Sequence, residues 1–279
     1  MSRQRFDLLS KFVTANHILA NHGIVDGFGH VSVRDPDRPD TFLMTGSKPP
    51  ALVKTAGDID TFLVEDAQPL AGEHGPPQSP FSERFIHSEI YEMYPAVQSI
   101  VHSHSPVMVA RANSGQPLRP VWHMAGFLGP VVPVFDTRGF YREGEKQLTL
   151  VNSHDLGRAL ASTLADGSTS DTAPHRHGLP PHTTVLQRGH GFVTWGTSIE
   201  QVVYRAVYAQ KNAEIQQQAE ELASASSGIA RCEYLGEAEW QDCAAMDDVC
   251  WVKSWPLWVA QVRSDPLYEN NVQDDSRRP

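Results

Sequence analysis

The stretch Val97-Gln98-Ser99-Ile100-Val101-His102-Ser103-His104 decides how this chain is read. Its apolar, β-branched run predicts a strand, and on a strand residues i and i+2 project from the same face. His102 and His104 then bring two imidazoles to one side, within reach of a single ion. An HxH pair alone fits two ordinary polar residues equally well, so its surroundings matter. Upstream, Ser82 can cap a helix running from Glu83 to about Tyr94, where Pro95 ends it. Glu83 then stands in the first turn, where the helix dipole favours an ionised carboxylate. His87 follows one turn later on the same helical face. Taken singly, Glu83 reads as a solvated first-turn acid. Downstream, His190 lies between Gly189 and Gly191, in a turn joining apolar strands predicted at 183–187 and 192–195. Glycines there permit close backbone approach, although a turn histidine need have no special role.

Farther out, the pattern keeps alternating. Phe6, Leu9, Phe12, Val13, Leu19 and Ala20 follow helical spacing over residues 4–22, with Gly23 as the stop. Strands are predicted at 30–34, 41–45, 61–64 and 131–134, and helices at 106–112 and 153–165. Ser198 can cap a long helix reaching about residue 225. This is an α/β pattern, read as one main domain over 1–225. Within it, residues 166–182 are rich in Gly, Pro, Ser, Thr and His, and predict a surface insertion. The extension, 226–279, carries Trp240, Trp251, Trp255 and Trp258, and its aromatic density predicts docking onto a surface.

Composition sets the outer bounds. With 40% apolar and 20% charged residues in 279, the chain supports a sizeable core and is neither disordered nor collagenous. A net charge of −10 without a Lys/Arg block argues against nucleic acid or anionic membrane as a partner. Cys232, Cys243 and Cys250 lack CxxC spacing and fit a reducing compartment. The first residues lack the apolar core of a signal peptide, and no stretch approaches the ~20 apolar residues of a membrane helix. A soluble cytoplasmic protein is expected. Its 13 histidines are the outstanding count, since imidazole is the usual neutral ligand for divalent metals.

Glu83, then the His102/His104 pair nineteen residues later, then Arg188-Gly189-His190-Gly191 before a long helix resemble the class II aldolase/adducin family. Gly29-His30-Val31-Ser32-Val33 resembles that family's Gly-Asn-x-Ser segment, and the similarity spans roughly residues 5–216. The resemblance implies a three-layer α/β/α domain around a mostly antiparallel central sheet. It also implies homotetramers with active sites near subunit interfaces. By the same resemblance His102, His104 and His190 form the metal triad, with Glu83 as acid/base or fourth ligand. One divalent ion per subunit is expected, and three histidines are compatible with zinc, manganese or iron.

The departures from the sugar-phosphate aldolases narrow the substrate. His30 stands at the Asn position, and Phe81-Ser82 stands where a Ser-Ser pair is found. This removes phosphate donors and adds flat, stacking surface, so a phosphorylated sugar is not expected. Thr45-Gly46-Ser47 persists, which keeps Ser47 as a candidate substrate contact. Segments 26–34, 83–87 and 123–129 resemble a branch containing decarboxylases of hydroxylated aromatic, phthalate or pyridine dicarboxylates. A non-haem iron oxygenase of aminocoumarin biosynthesis belongs to the same branch. The expected function is therefore a metal-dependent lyase that decarboxylates a hydroxylated aromatic or heteroaromatic acid. Glu83 is the first candidate for proton transfer and His30 the second. Arg84, His123 and Arg138 are candidates to pair with a substrate carboxylate, although salt bridges explain the arginines equally well. The alternatives are retro-aldol cleavage of a non-phosphorylated hydroxy-acid, Fe(II)/O2-dependent oxidative cleavage, and a non-enzymic adducin-like interaction domain. Retention of three histidines and Glu83 argues against the last.

Overall fold

The computed structural model describes residues 2–46, 48–71, 81–166, 178–225 and 231–272. Ser47, His74 and residues 167–177 of the predicted insertion lie outside the described residues.

Ser2 accepts a hydrogen bond from the Arg5 amide and caps α1, Arg3–Asn21, which ends where Gly23 takes a left-handed φ of +65°. The strands are β1 (His30–Arg34), β2 (Thr41–Thr45), β3 (Ile59–Leu63), β4 (Ser99–Ser103), β5 (Val134–Phe135), β6 (Thr184–Gln187) and β7 (Gly191–Gly196). Among the described residues they form one sheet in the order β3-β2-β1-β4-β7-β6-β5. Every pairing is antiparallel except β5 with β6. The fold is α/β, with a mostly antiparallel sheet.

Alternation along each strand divides the core in two. Val31, Val33, Val101 and Phe192 pack against α1, α3 (Pro106–Asn113), α5 (Ile199–Ala225) and α6 (Glu237–Arg263). Phe42, Met44, Ile100, Val193 and Trp195 face α2 (Arg84–Met93) and α4 (His154–Asp166). The same two-residue period puts His30, Ser32 and His102 on the α2 side, since each flanks a residue facing the other way. β1 and β4 pair in a register that sets His30 opposite His102.

The extension forms α6, whose Trp258 and Val262 are buried in the core shared with α1 and α5. It also lies against the 3₁₀ segment His123–Leu128, so closely that a Cβ on Gly126 would fall 2.5 Å from the Cys243 Cβ. Buried Asp247 of α6 accepts from the Tyr204 hydroxyl at 3.0 Å and the Phe127 amide at 3.4 Å. Burial pushes its carboxyl up to about 6. The three cysteines are unpaired, and no described helix is long and apolar enough to cross a membrane.

Candidate metal centre

Three elements deliver the cluster. β4 carries His102, the residue just past its end is His104, and the β6–β7 turn carries His190. The expectation that both members of the HxH pair sit on a strand is corrected here, because β4 stops at Ser103. His104 turns in from the following loop and remains a quarter exposed, while His102 is fully buried. Glu83 is itself the residue preceding α2, not a first-turn acid behind a Ser82 cap. Its carboxylate caps nothing in the helix and is free to face the histidines.

The turn around His190 shows why glycines flank it. Gly189 has φ +69° and its N–H donates a hydrogen bond to Asn113 Oδ1 at 2.9 Å. A Cβ on Gly191 would lie 1.9 Å from the Ser103 carbonyl oxygen, so β7 reaches β4 this closely only with glycine there. Arg188 Nε pairs with Asp136 Oδ1 at 2.9 Å and ties the turn to the end of β5.

His102 Nε2 lies 2.9 Å from His104 Nε2, which lies 3.0 Å from His190 Nε2. Glu83 Oε2 is 3.7 Å from His102 Nε2 and 3.9 Å from His104 Nε2, and Oε1 is 3.4 Å from His190 Nε2. All four donors lie within 4.8 Å of one another. Imidazoles sharing one ion at about 2.0–2.1 Å stand roughly 2.9–3.4 Å apart, so the observed spacing fits a cation. The tautomers fit as well. His102 Nδ1–H donates to the Phe192 carbonyl at 3.1 Å, which turns the Nε2 lone pair toward the cluster. With the Nε2 atoms of all three rings unprotonated, their lone pairs converge at a distance where a cation would relieve the repulsion. Burial, followed by the neighbouring imidazoles, holds His102 well below its ordinary value and lowers His104 too, which keeps both neutral and able to ligate.

The cluster opens on a cavity of about 450 Å³. Phe28, Phe81 and Leu150 supply its apolar wall, and Glu83, His104 and His190 its polar floor. Phe28 is 68% exposed, an unusual position for a ring and one that flat sequence reading passed over. Glu83 Oε1 accepts the Val151 amide at 3.3 Å.

The remaining sequence candidates fall in different places. His30 is buried beside the cluster, its ring centroid 4.9 Å from that of His102 and 4.6 Å from that of Phe81. Arg84 donates to the carbonyls of Ala67 and Phe81 and stacks over the Phe85 ring, so its guanidinium clamps the approach to α2. Arg138 is exposed and paired with Asp136 at 2.5 Å. His123 is exposed beside Trp122, with no contact to the cluster among the described residues. His87 is more engaged than its sequence context showed. It is fully buried and its Nε2 lies 2.7 Å from His30 Nδ1. Tyr91, one turn further along α2, was not singled out; its four-residue spacing from His87 was the available signal.

Residues 10–217 match the family described as the class II aldolase and adducin N-terminal domain. The chain is 40% identical to the decarboxylase tropJ of Talaromyces stipitatus over 268 residues, covering 93% of this chain and 95% of that protein. It is 26% identical to the 3,4-dihydroxyphthalate decarboxylase of Arthrobacter keyseri, covering 69% of this chain and 71% of that one. An aldolase II superfamily protein from Pseudomonas syringae shares the fold at a TM-score of 0.70 and 16% identity, with 96% of each chain covered. The L-fuculose 1-phosphate aldolase of Glaciozyma antarctica PI12 does so at 0.66 and 20%, covering 96% of this chain and 93% of that one. With a family match over most of its length and a decarboxylase relative along nearly all of it, this chain belongs to the class II aldolase and adducin family.

Proposed function

We propose that this protein is a divalent-metal-dependent decarboxylase of a hydroxylated aromatic or heteroaromatic acid. The observation that carries the reading is the cluster of His102, His104, His190 and Glu83 at the floor of a cavity walled by Phe28 and Phe81. The decarboxylase relatives support it. A divalent cation held by the three imidazoles supplies Lewis acidity next to the bond that breaks. Glu83 Oε1 is occupied by the Val151 amide, which leaves Oε2 as the atom to hold a proton. That proton passes to the ring carbon as carbon dioxide departs, and the electron pair of the broken bond forms the new C–H bond. The faces of Phe28 and Phe81 orient a planar substrate by stacking and exclude water from it. His30, packed against Phe81, is the second candidate for proton transfer. The same reading makes the protein a cytoplasmic homotetramer with its site near a subunit interface, which suits the exposed Phe28 ring at the cavity.

The test is reconstitution of the apoprotein separately with Zn(II), Mn(II) and Fe(II), each given a panel of hydroxy-aromatic acids, with CO2 release and O2 uptake recorded together. CO2 release without O2 consumption is expected. Glu83→Gln should keep the metal and lower turnover about 10²–10⁴-fold. Coupled O2 uptake would replace the proposal with oxidative cleavage, and silence toward every acid and metal would remove it.

A further inference from the structure

The three histidines of the cluster are held in three different ways behind their Nε2 atoms. His102 Nδ1 donates to the Phe192 carbonyl at 3.1 Å, so the sheet backbone fixes that ring. His190 Nδ1 is buried and has no hydrogen-bond partner among the described residues. His104 lies past the end of β4 and turns its Nδ1 toward a carboxylate, with Asp26 Oδ1 4.0 Å away. That separation is longer than a hydrogen bond, and contacts of this kind often tighten only when a site is filled. With a cation on Nε2, the ring's one hydrogen sits on Nδ1, the atom that faces Asp26.

Asp26 is 64% exposed, yet its carboxylate is fixed in place. Oδ1 accepts the Phe28 amide at 2.8 Å and the Gly29 amide at 3.2 Å, which closes the loop over residues 26–29. That loop is seated against the strand that carries His102. A Cβ on Gly29 would lie 2.8 Å from Val25 Cγ1 and 3.2 Å from the His102 carbonyl oxygen, so glycine is what lets it come this near. Phe28, whose amide Asp26 holds, stands in the cavity wall with His104. Closing such a turn needs only a short acceptor, and asparagine or serine would serve. A carboxylate adds charge, and its one salt-bridge partner within 4.0 Å among the described residues is His104.

We propose that Asp26 is a positioning residue with two effects: its carboxylate takes the His104 Nδ1–H and so presents Nε2 to a divalent cation, and its hold on the 26–29 loop sets Phe28 in the cavity wall. Neither effect moves a proton to the substrate or touches the reacting atoms. A carboxylate behind a ligating imidazole fixes the ring's orientation and makes its other nitrogen a stronger donor to the metal. The effect falls on His104 because that ring, a quarter exposed and beyond its strand, is held by neither the sheet nor the β6–β7 turn. The first effect rests on the metal reading of the cluster, and the second also on the decarboxylase reading.

Two substitutions separate the charge from the turn. Asp26→Asn keeps an acceptor for the two amides and loses the charge, while Asp26→Glu keeps the charge and displaces it from the amides. Zinc affinity at pH 7 is read by competition with a chromophoric chelator. It should fall about 10–100-fold in Asp26→Asn and hold at the parent's value in Asp26→Glu. The order should reverse for stacking. At saturating zinc, Asp26→Glu should raise KM for the acid that releases CO2 more than Asp26→Asn does. Zinc affinity unchanged in Asp26→Asn, or lost equally in both variants, overturns the hold on His104. A KM that does not rise in Asp26→Glu overturns the hold on Phe28. NMR of the zinc-loaded protein reaches the contact itself. The imidazole N–H signal that His104→Ala abolishes should shift in Asp26→Asn, while the His102 N–H, bonded to the Phe192 carbonyl, stays in place. A His104 signal that does not move overturns the first effect. A parent that binds zinc and decarboxylates nothing removes the second effect with the reaction and leaves the first to stand on the zinc series. A parent that holds no zinc overturns both.

Discussion

Both faces of the central sheet bury an apolar layer, but only one of them also buries a patch of polar side chains. Against α1, α5 and α6 the strands present Val31, Val33, Val101 and Phe192, and the extension completes that layer with Trp258 and Val262. Toward α2 the strands add His30, Ser32 and His102, all at most 1% exposed, to the apolar layer of Phe42, Met44, Ile100, Val193 and Trp195. An apolar face is stabilised by area removed from water and tolerates inexact partners. A polar face tolerates none, because each buried group needs a specific partner or becomes a liability. Here Ser32 bonds His87 and Tyr91, and His102 Nδ1 bonds the Phe192 carbonyl, while His30 Nε2 has no partner among the described residues. The lesson is that both apolar layers hold the fold, while the polar patch on the α2 side is organised toward the site.

That division can be broken by substitution on each face. The largest effect is expected for His104→Ala, which removes a donor from the cluster. Metal retention should weaken at least about 100-fold and turnover disappear, with little change in apoprotein stability because the side chain is a quarter exposed. Metal analysis of the dialysed variant checks this, and metal and activity that both survive would refute the site. On the opposite face, Trp258→Ala should cost about 3–5 kcal/mol of stability, read by denaturant unfolding. Metal content per folded chain should stay as in the parent, and loss of metal from folded protein would show that the two faces are not separable.

A smaller effect concerns acid. Burial lowers His87 to about 3, so between its ordinary value near 6.5 and that point the unfolded chain takes a proton that the folded chain refuses. Stability should therefore fall as pH drops below 6.5, with His87 contributing at most about 1.4 kcal/mol per pH unit. Unfolding of the metal-free protein at pH 7 and pH 5 should show a shallower loss in His87→Gln than in the parent. Identical slopes would remove His87 from the account.

Much of this is legible in the sequence. The strand at 30–34 and the helix starting after Ser198 were legible from alternation and a cap, and both are observed. Local rules suffice there, since each depends on neighbours in sequence. His102 was legible for the same reason. Other features depend on residues distant along the chain. The end of β4 before His104 is set by where its partners stop, which no local pattern encodes. Arg84 and Arg138 carry the right chemistry for a carboxylate, yet Ala67, Phe81 and Asp136 engage them first. The sequence placed His87 on the Glu83 face of the helix but not its partners, because the serine and histidine it bonds lie 55 and 57 residues away. The extension showed its tryptophans, and only packing revealed that Trp258 enters the core beneath α1 and α5.

Read alone, the chain specifies the elements, their α/β order and which residue types can ligate a cation, since these follow from periodicity, turn chemistry and side-chain donors. Tertiary structure decided which histidines meet, at what separation, and in which tautomer. Those depend on strand register and on the glycine at 191 that lets two backbones approach, and a hydrogen's position is settled only when every partner around it is in place.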